Sequence, residues 1–338
     1  MKTLFKWLTR LFLLAVLVIG GIAAYGYQQW QKLEQMTVVP GETPLFVVAR
    51  GETTFHLINR LSAEPVPALT RRIWLRFHPE LAAVRQGTYK FDPDTRLRSA
   101  LMAMVNGDVY RLQVTLVEGL RLSDWQQRLA QAEYLDVTLD EEVTEAELAR
   151  VLGLNTDKLE GRFLPETYSY TPGDTDVSIL QRAHDEMERF LAKAWAERRP
   201  DLPIATPYEA LILASIIEKE TGIAEERPLI ASVFVNRLRV GMRLQTDPTV
   251  IYGMGESYDG NIRKKDLQTH TPYNTYMIDG LPPGPIAMPS KEAITAALQP
   301  VDSGYYYFVA MGKGEGRHYF SKSLREHNNA VRRYILNR

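Results

Sequence analysis

The sequence contains no cysteine, which excludes disulfide staples, thiolate zinc sites, a cysteine nucleophile and a lipid-modified N-terminal cysteine together. Stability must come from packing, and 338 residues with 45% apolar and 24% charged side chains suffice for two or three domains. An excess of one charge sign is also missing. The formal net charge is −1, and no stripe of Lys and Arg interleaved with aromatics appears, so there is no electrostatic footprint for nucleic acid. The common catalytic signatures are absent as well: no HExxH among the six histidines, no G-x-S-x-G elbow, no Walker A loop and no G-x-G-x-x-G after a strand. Gly312-Lys313-Gly314-Glu315-Gly316 is glycine-rich but lacks phosphate-loop spacing and reads as a hairpin tip. Nothing in the sequence calls for a metal or another cofactor.

Only one long apolar run exists. Lys2, Lys6 and Arg10 precede residues 11–27, which carry no formal charge, and the next charge is Lys32. As a helix rising ~1.5 Å per residue, residues 11–31 cover ~30 Å, about one hydrocarbon thickness, with Trp7, Tyr25, Tyr27 and Trp30 at the two interfaces. The three cations predict a cytoplasmic N-terminus (residues 1–10) for this spanning helix. A cleavable signal peptide, with Gly20, Gly21, Ala23 and Ala24 at the cleavage site, is the other reading. Both export residues 40–338.

Beyond the span, residues 32–42 with Pro40 and Gly41 read as a stalk. A β-rich run at 45–49, a turn at Gly51, helices at 55–61 and 71–77 and a strand at 87–91 give a β-α-α-β order that resembles the LysM fold in outline. A spacer without a ligand is the alternative. A helix at 97–105 ending at Asn106-Gly107 and a strand at 111–117 lead to a soft boundary, with a LysM-like subdomain over 43–115 and the remainder over 116–338. Helices are expected at 123–131, 144–152 and 177–198, while the Pro/Gly/aromatic segment 160–173 reads as irregular. The fold class is α+β: a transmembrane helix, a small β-α-α-β subdomain and a mixed α/β catalytic domain.

Thr206-Pro207-Tyr208-Glu209 is a capping box with proline at the first helical position, and Gly222 reads as the stop, which delimits a helix over 207–221. It ends in Glu218-Lys219-Glu220-Thr221. At ~100° per residue, Glu220 lies ~50° from the mean direction of the apolar residues 210–217 and Glu218 ~110°. Glu220 therefore belongs at the edge of the buried stripe. Burial disfavours a charged carboxylate and raises its pKa, the property a general acid for glycoside cleavage needs. Pairing of Glu220 with Arg237 or Arg243, or simple exposure at a helix end, is the plainer alternative.

Two further stretches are dense in short polar groups. In 241–253, Gln245, Thr246, Asp247 and Thr249 together supply the mixture of hydrogen-bond donors and acceptors that sugar hydroxyls and acetamido groups require. In 271–285, Tyr273, Asn274 and Tyr276 combine rings and an amide beside Gly280-Leu281-Pro282-Pro283-Gly284-Pro285. Turn chemistry with core tyrosines is the alternative for both.

These residues resemble the endolytic murein transglycosylase family known as MltG or YceG-like. The resemblance rests on Leu213-Ala214-Ser215-Ile216-Ile217-Glu218-Lys219-Glu220-Thr221, on Ser232-Val233-Phe234-Val235-Asn236-Arg237-Leu238, on 241–253, and on Tyr273-Asn274-Thr275-Tyr276 with Gly280-Leu281-Pro282-Pro283-Gly284. Weaker similarity reaches back through Leu164-Pro165-Glu166-Thr167-Tyr168, Val117-Glu118-Gly119 and Gly87-Thr88-Tyr89. It implies a single-pass inner-membrane protein with a periplasmic catalytic domain behind a LysM-like subdomain, cleavage of the β-1,4 bond after N-acetylmuramic acid (MurNAc) within nascent peptidoglycan strands, 1,6-anhydro ends, a role in terminating strand elongation, and peptidoglycan synthases as partners. It also implies Glu220 as the catalytic acid. Gln245, Asp247, Thr249, Asn274 and Tyr276, with Glu166 and Tyr252 behind them, are the expected sugar contacts. His270 has no clear counterpart in the pattern. A muramidase-type hydrolase using Asp247 or another carboxylate, and a non-catalytic wall-binding scaffold, stay open at this point.

Overall fold

The computed structural model describes residues 2–39, 43–140, 142–312 and 316–336. The expected hairpin tip at Lys313-Gly314-Glu315 and the Pro40-Gly41-Glu42 part of the expected stalk lie outside the described residues. The chain divides into two units, residues 1–112 and 113–338.

The first unit contains α1 (Lys2–Gln35), β1 (Leu45–Val48), α2 (Thr54–Leu61), α3 (Ala68–Phe77), β2 (Gly87–Lys90) and α4 (Leu97–Asn106). β1 and β2 pair antiparallel, Leu45 opposite Lys90 and Val48 opposite Gly87. Leu57, Ile58, Trp74, Tyr89, Leu97 and Leu101 are fully buried between the ribbon and the helices. α4 stops where Gly107 takes φ 79°, a left-handed cap that favours glycine. The stalk reading is corrected here. Lys32, Leu33, Glu34 and Gln35 contain no stop signal, so α1 runs on through them, and Leu33 and Val38, 1% and 2% exposed, belong to the core of this unit. Glu34 accepts from Trp74 Nε1 (3.0 Å) and bonds His78 Nε2 (2.9 Å). From Leu4 onward α1 is long and apolar enough to cross a membrane, with mean hydropathy 2.1 and no protein covering its apolar window.

The second unit is mainly helical: β3 (Leu112–Leu116), which begins at the boundary, then α5 (Leu122–Ala130), α6 (Glu145–Val151), β4 (Glu166–Tyr170), α7 (Asp176–Ala196), α8 (Pro207–Glu220), α9 (Arg227–Arg239), α10 (Asp247–Met254), α11 (Lys264–Gln268), α12 (Lys291–Leu298), β5 (Tyr307–Ala310), β6 (His318–Ser321) and α13 (Leu324–Val331), closed by a π-helical turn, Arg332–Leu336. Segment 160–173 is not irregular throughout, because β4 pairs with β3. Thr167, Tyr168 and Tyr170 favour strand, Tyr168 and Tyr170 alternate inward, and Pro165 falls just before the strand, where its missing N–H breaks no ladder. β5 and β6 form an antiparallel ribbon with Tyr307 opposite Ser321 and Ala310 opposite His318.

The core of this unit surrounds α8. Thr206 caps its first turn by accepting from Glu209 N, and all eight residues from Ala210 to Ile217 are buried, against α7, α9, α10 and α12. The expected glycine stop is not used. Thr221 leaves the helix in an extended conformation, φ −149°, and its hydroxyl accepts from Ile223 N at 3.0 Å. Ser215, fully buried in mid-helix, donates to Ile212 O (2.8 Å) and accepts from Ile286 N (3.0 Å), which ties the proline-rich loop to α8. Ser215→Ala leaves that amide without an acceptor and should destabilise the protein by about 1–3 kcal/mol. The expected readout is a lower urea midpoint with unchanged slope; an unchanged midpoint would show that the bond contributes nothing.

Candidate active site

The C-terminal end of α8 opens into a cavity of about 380 Å³ lined by Glu220, Arg237, Gln245, Asp247, Tyr276 and His318, among others. Three elements bring these groups together. α8 delivers Glu220; the entry to α10 delivers Gln245, Thr246 and Asp247; the β5–β6 ribbon closes the far side with Tyr307 and His318. Gln245 has φ 47°, a left-handed conformation that costs a non-glycine residue on the order of 1 kcal/mol or more. Its amide bonds Thr275 O (3.2 Å) and the next amide, of Thr246, bonds Thr275 Oγ1 (3.1 Å), so Thr275 clamps the strained turn.

Burial at the end of an enclosed helix pushes the Glu220 carboxyl up to about 7. The hydrogen bond from Thr246 Oγ1 to Glu220 Oε1 opposes that rise, the nearby Asp247 carboxylate adds to it, and His318 and Arg237 oppose it at longer range. Glu220 is thus poised to hold a proton near neutrality and release it there. A raised pKa does not single it out. Glu160 is pushed to about 8 by burial, but it accepts from Leu122 N (3.2 Å) and is not part of the cavity that Glu220 faces.

The expectation that Glu218 faces further from the core than Glu220 is not met. Its side chain is 4% exposed, pairs with Arg227 at 3.2 Å and accepts from both the amide (2.9 Å) and the hydroxyl of Ser290. An apolar mean direction has little meaning for a helix enclosed on all sides. What separates the two glutamates is their partners: Glu218 is saturated by fixed protein donors, whereas Glu220 receives one side-chain donor and faces the cavity. Neither arginine weighed as its ion-pair partner takes that role among the described residues. Arg237 donates to Tyr306 O (2.7 Å) and Leu244 O (2.6 Å), and Arg243 pairs with Asp279 at 2.8 Å.

Of the expected sugar contacts, Gln245, Asp247 and Tyr276 line the cavity with Glu220. Tyr276 donates to Asp247 Oδ1 (2.6 Å), and burial, with that carboxylate, holds its phenol well above the ordinary range. The other four stand elsewhere. Thr249 is fully buried, its hydroxyl donating to Thr246 O (2.7 Å) and touching Thr275 Oγ1 (2.8 Å). Asn274, 1% exposed, donates to the carbonyls of Asp266, Leu267 and Thr269 and accepts from Tyr276 N, so its amide shapes the loop and is spent on backbone. Tyr252 packs tilted against Tyr273, ring centroids 4.7 Å apart, under the Arg121 guanidinium and outside the lining of the cavity. Glu166 pairs with Lys291 (3.3 Å) in a different cavity. His270 is exposed.

Sequence reasoning did not single out Tyr307, His318 or His327, and it placed Thr246 among sugar-binding groups rather than on Glu220. Thr246 stood in the polar stretch, but its partner lies 26 positions away. His318 is held by Glu226, which accepts from its amide (2.9 Å) and bonds Nδ1 (2.8 Å); the two are 92 positions apart, and no local pattern joins them. With a carboxylate on Nδ1, a neutral His318 carries its proton there.

Comparison with known proteins agrees on one family. Residues 46–333 match the YceG-like family. An endolytic murein transglycosylase of Bacillus subtilis (strain 168) is 33% identical over 265 residues, 74% of this chain and 72% of that protein. One from Streptococcus pneumoniae serotype 2 (strain D39) is 32% identical over 182 residues, 53% of this chain and 32% of that longer protein. A crystal structure of a YceG-like protein from Listeria monocytogenes superposes with TM-score 0.53 at 28% identity, covering 84% of this chain and 98% of that one.

Thr246→Val keeps the shape of the side chain and removes the donor that favours the charged form of Glu220, so the carboxyl should rise further above about 7. If the protonated form is the active one, the alkaline limb of a pH–rate profile moves to higher pH in this variant. An unmoved limb would mean that this bond does not set the Glu220 pKa.

Proposed function

The chain belongs to the YceG-like family, and on that footing we propose that it is an endolytic lytic transglycosylase that cuts peptidoglycan strands with Glu220 as its single acid and base. The observation that carries the reading is one carboxyl, raised to about 7 by burial, facing a polar cavity large enough for sugar rings. Protonated Glu220 donates to the glycosidic oxygen as its bond to C1 of MurNAc breaks. The resulting carboxylate takes the proton of the MurNAc O6 hydroxyl as O6 closes on C1. No water is consumed, the proton count on Glu220 is restored, and the products are a free 4-hydroxyl and a 1,6-anhydro end, which makes the reaction that of a carbon–oxygen lyase acting on polysaccharide.

Proton transfer of this kind contributes roughly 10²- to 10⁴-fold. Binding on a fixed frame contributes further. Gln245, held in its left-handed turn, and Asp247 with its Tyr276 partner present an amide, a carboxylate and a phenol to sugar hydroxyls and N-acetyl groups. Thr246 occupies one carboxylate oxygen of Glu220 and leaves the other for the substrate. Thr249 and Asn274 act by holding these loops in place.

We further read α1 as a retained inner-membrane anchor with a cytoplasmic N-terminus, the unit behind it as a LysM-like subdomain and residues 116–338 as the catalytic domain in the periplasm, acting on strands as peptidoglycan synthases make them and so ending their elongation. Lys2, Lys6 and Arg10 on the N-terminal side of the apolar run support that orientation.

The test is mass spectrometry of the fragments released from purified glycan strands by the full chain in detergent. Wild type should release 1,6-anhydro ends, Glu220→Gln should release at least 10²-fold less, and Glu218→Gln should be less stable yet retain the chemistry. Reducing ends from wild type would instead mean hydrolysis. Equal cutting by Glu220→Gln would mean that another group is the acid, and no release at all by wild type would favour a wall-binding scaffold.

A further inference from the structure

α3 leaves a row of large apolar side chains uncovered. Leu69, Ile73 and Phe77 are 69%, 45% and 68% exposed, and their four-residue spacing sets them within an ~80° arc of the helix. Arg72 and Arg76 are exposed along one edge of that row, and neither forms an ion pair among the described residues. The opposite face of α3 buries Trp74 and Arg71 in the core of the first unit. A small soluble domain gains nothing from such a stripe, and contiguous exposed apolar surface of this kind marks an interaction site.

Its position relative to α1 indicates the occupant. The Trp30 ring meets Phe77 edge-on at 5.2 Å and stacks on His78 at 5.8 Å, and one turn later Glu34 holds Trp74 and His78. α1 is exposed up to Gln28 and partly covered from Gln29 onward, so the folded unit begins where an uncharged stretch of ~30 Å ends. No stretch of free chain separates the two. Phe77 is therefore fixed beside the aromatic residue that marks the outer end of the span. Contacts run from Phe77 at Trp30 to Trp74 at Glu34, so successive residues back along α3 stand further from the span.

We propose that the C-terminal half of α3 docks on the outer surface of the lipid bilayer, with Phe77 inserted deepest, Ile73 at the headgroup boundary and Leu69 outside it. The proposal rests on the reading of α1 as a membrane span. Arg72, Arg76 and the exposed Lys32 on α1 face anionic headgroups, and the arginine stems extend apolar contact while their guanidinium ends stay wet. Docking at this second point restricts rotation of the first unit about α1, a constraint that a single helix and a flexible stalk would not provide.

The absence of native cysteine makes the test direct. Single-cysteine variants Tyr25→Cys, Phe77→Cys, Ile73→Cys and Leu69→Cys of the full chain are labelled with a polarity-sensitive fluorophore in nanodiscs of phosphatidylethanolamine and phosphatidylglycerol. Each is compared with and without lipids carrying a nitroxide at a shallow acyl position. Quenching should be strong at 25, at least twofold greater at 77 than at 69, and intermediate at 73, where Phe77 is still present. Quenching at 25 with none at 77 or 73 would overturn the docking while leaving the span intact. No quenching at 25 would remove the span and the docking with it. An unquenched probe at 77, with the unlabelled Phe77→Cys protein forming disulfide-linked dimers on addition of a mild oxidant, would assign the stripe to a second copy of the chain, against the proposal.

Discussion

The enclosure of α8 is the constraint on which the rest of the site depends. Eight consecutive buried residues fix this helix against four others, and a helix held that firmly delivers its last residue to one place. Glu220 is left with its carboxyl in the wall of a cavity, where burial opposes ionisation and, among the described residues, Thr246 is the one side chain that donates to it. Desolvation wins over the combined help of Thr246, His318 and Arg237, and the balance falls near neutrality. Had Arg237 paired with Glu220 directly, the carboxyl would have stayed charged; its guanidinium is instead spent on the carbonyls of Tyr306 and Leu244.

Glu218 and Glu220 show how two identical side chains on one helix acquire different surroundings. Both are drawn out of water, but Glu218 is met by Arg227 and by Ser290 at the head of α12, which makes it a strut between helices. Removing a partner from such a buried pair costs stability of a few kcal/mol, whereas Glu220, the acid of our proposal, is left with a carboxyl whose ionisation burial opposes. The left-handed Gln245 beside it is a second local strain held by surrounding bonds, here those of Thr275. Strain of this type concentrates where geometry must be exact enough to bind.

Much of this was legible in the chain. Thr206-Pro207 announces the start of α8, Asn106-Gly107 the end of α4, and the uncharged run after Arg10 the long helix, because capping, glycine conformation and hydropathy are local. The polar stretch around residue 245 was legible as a hydrogen-bonding segment, but the helix α10 that begins within it was not. What was not legible is long-range. Nothing local ties Glu226 to His318 or Thr246 to Glu220, and nothing tells that the Asn274 amide is consumed by three carbonyls of its own loop. The stalk was misjudged because a polar composition is compatible with a continuing helix when no breaker intervenes, and the helical wheel mis-sorted Glu218 because a fully enclosed helix has no outer face.

The central claim, that burial keeps the Glu220 carboxyl protonated up to about neutrality, is tested most directly by carboxyl ¹³C NMR titration of protein labelled at glutamate side chains, with Glu220→Gln to identify the resonance. The account predicts a single group titrating near pH 7 that vanishes in the variant. A Glu220 midpoint between pH 4 and 5, the ordinary range for an exposed glutamate, would contradict it.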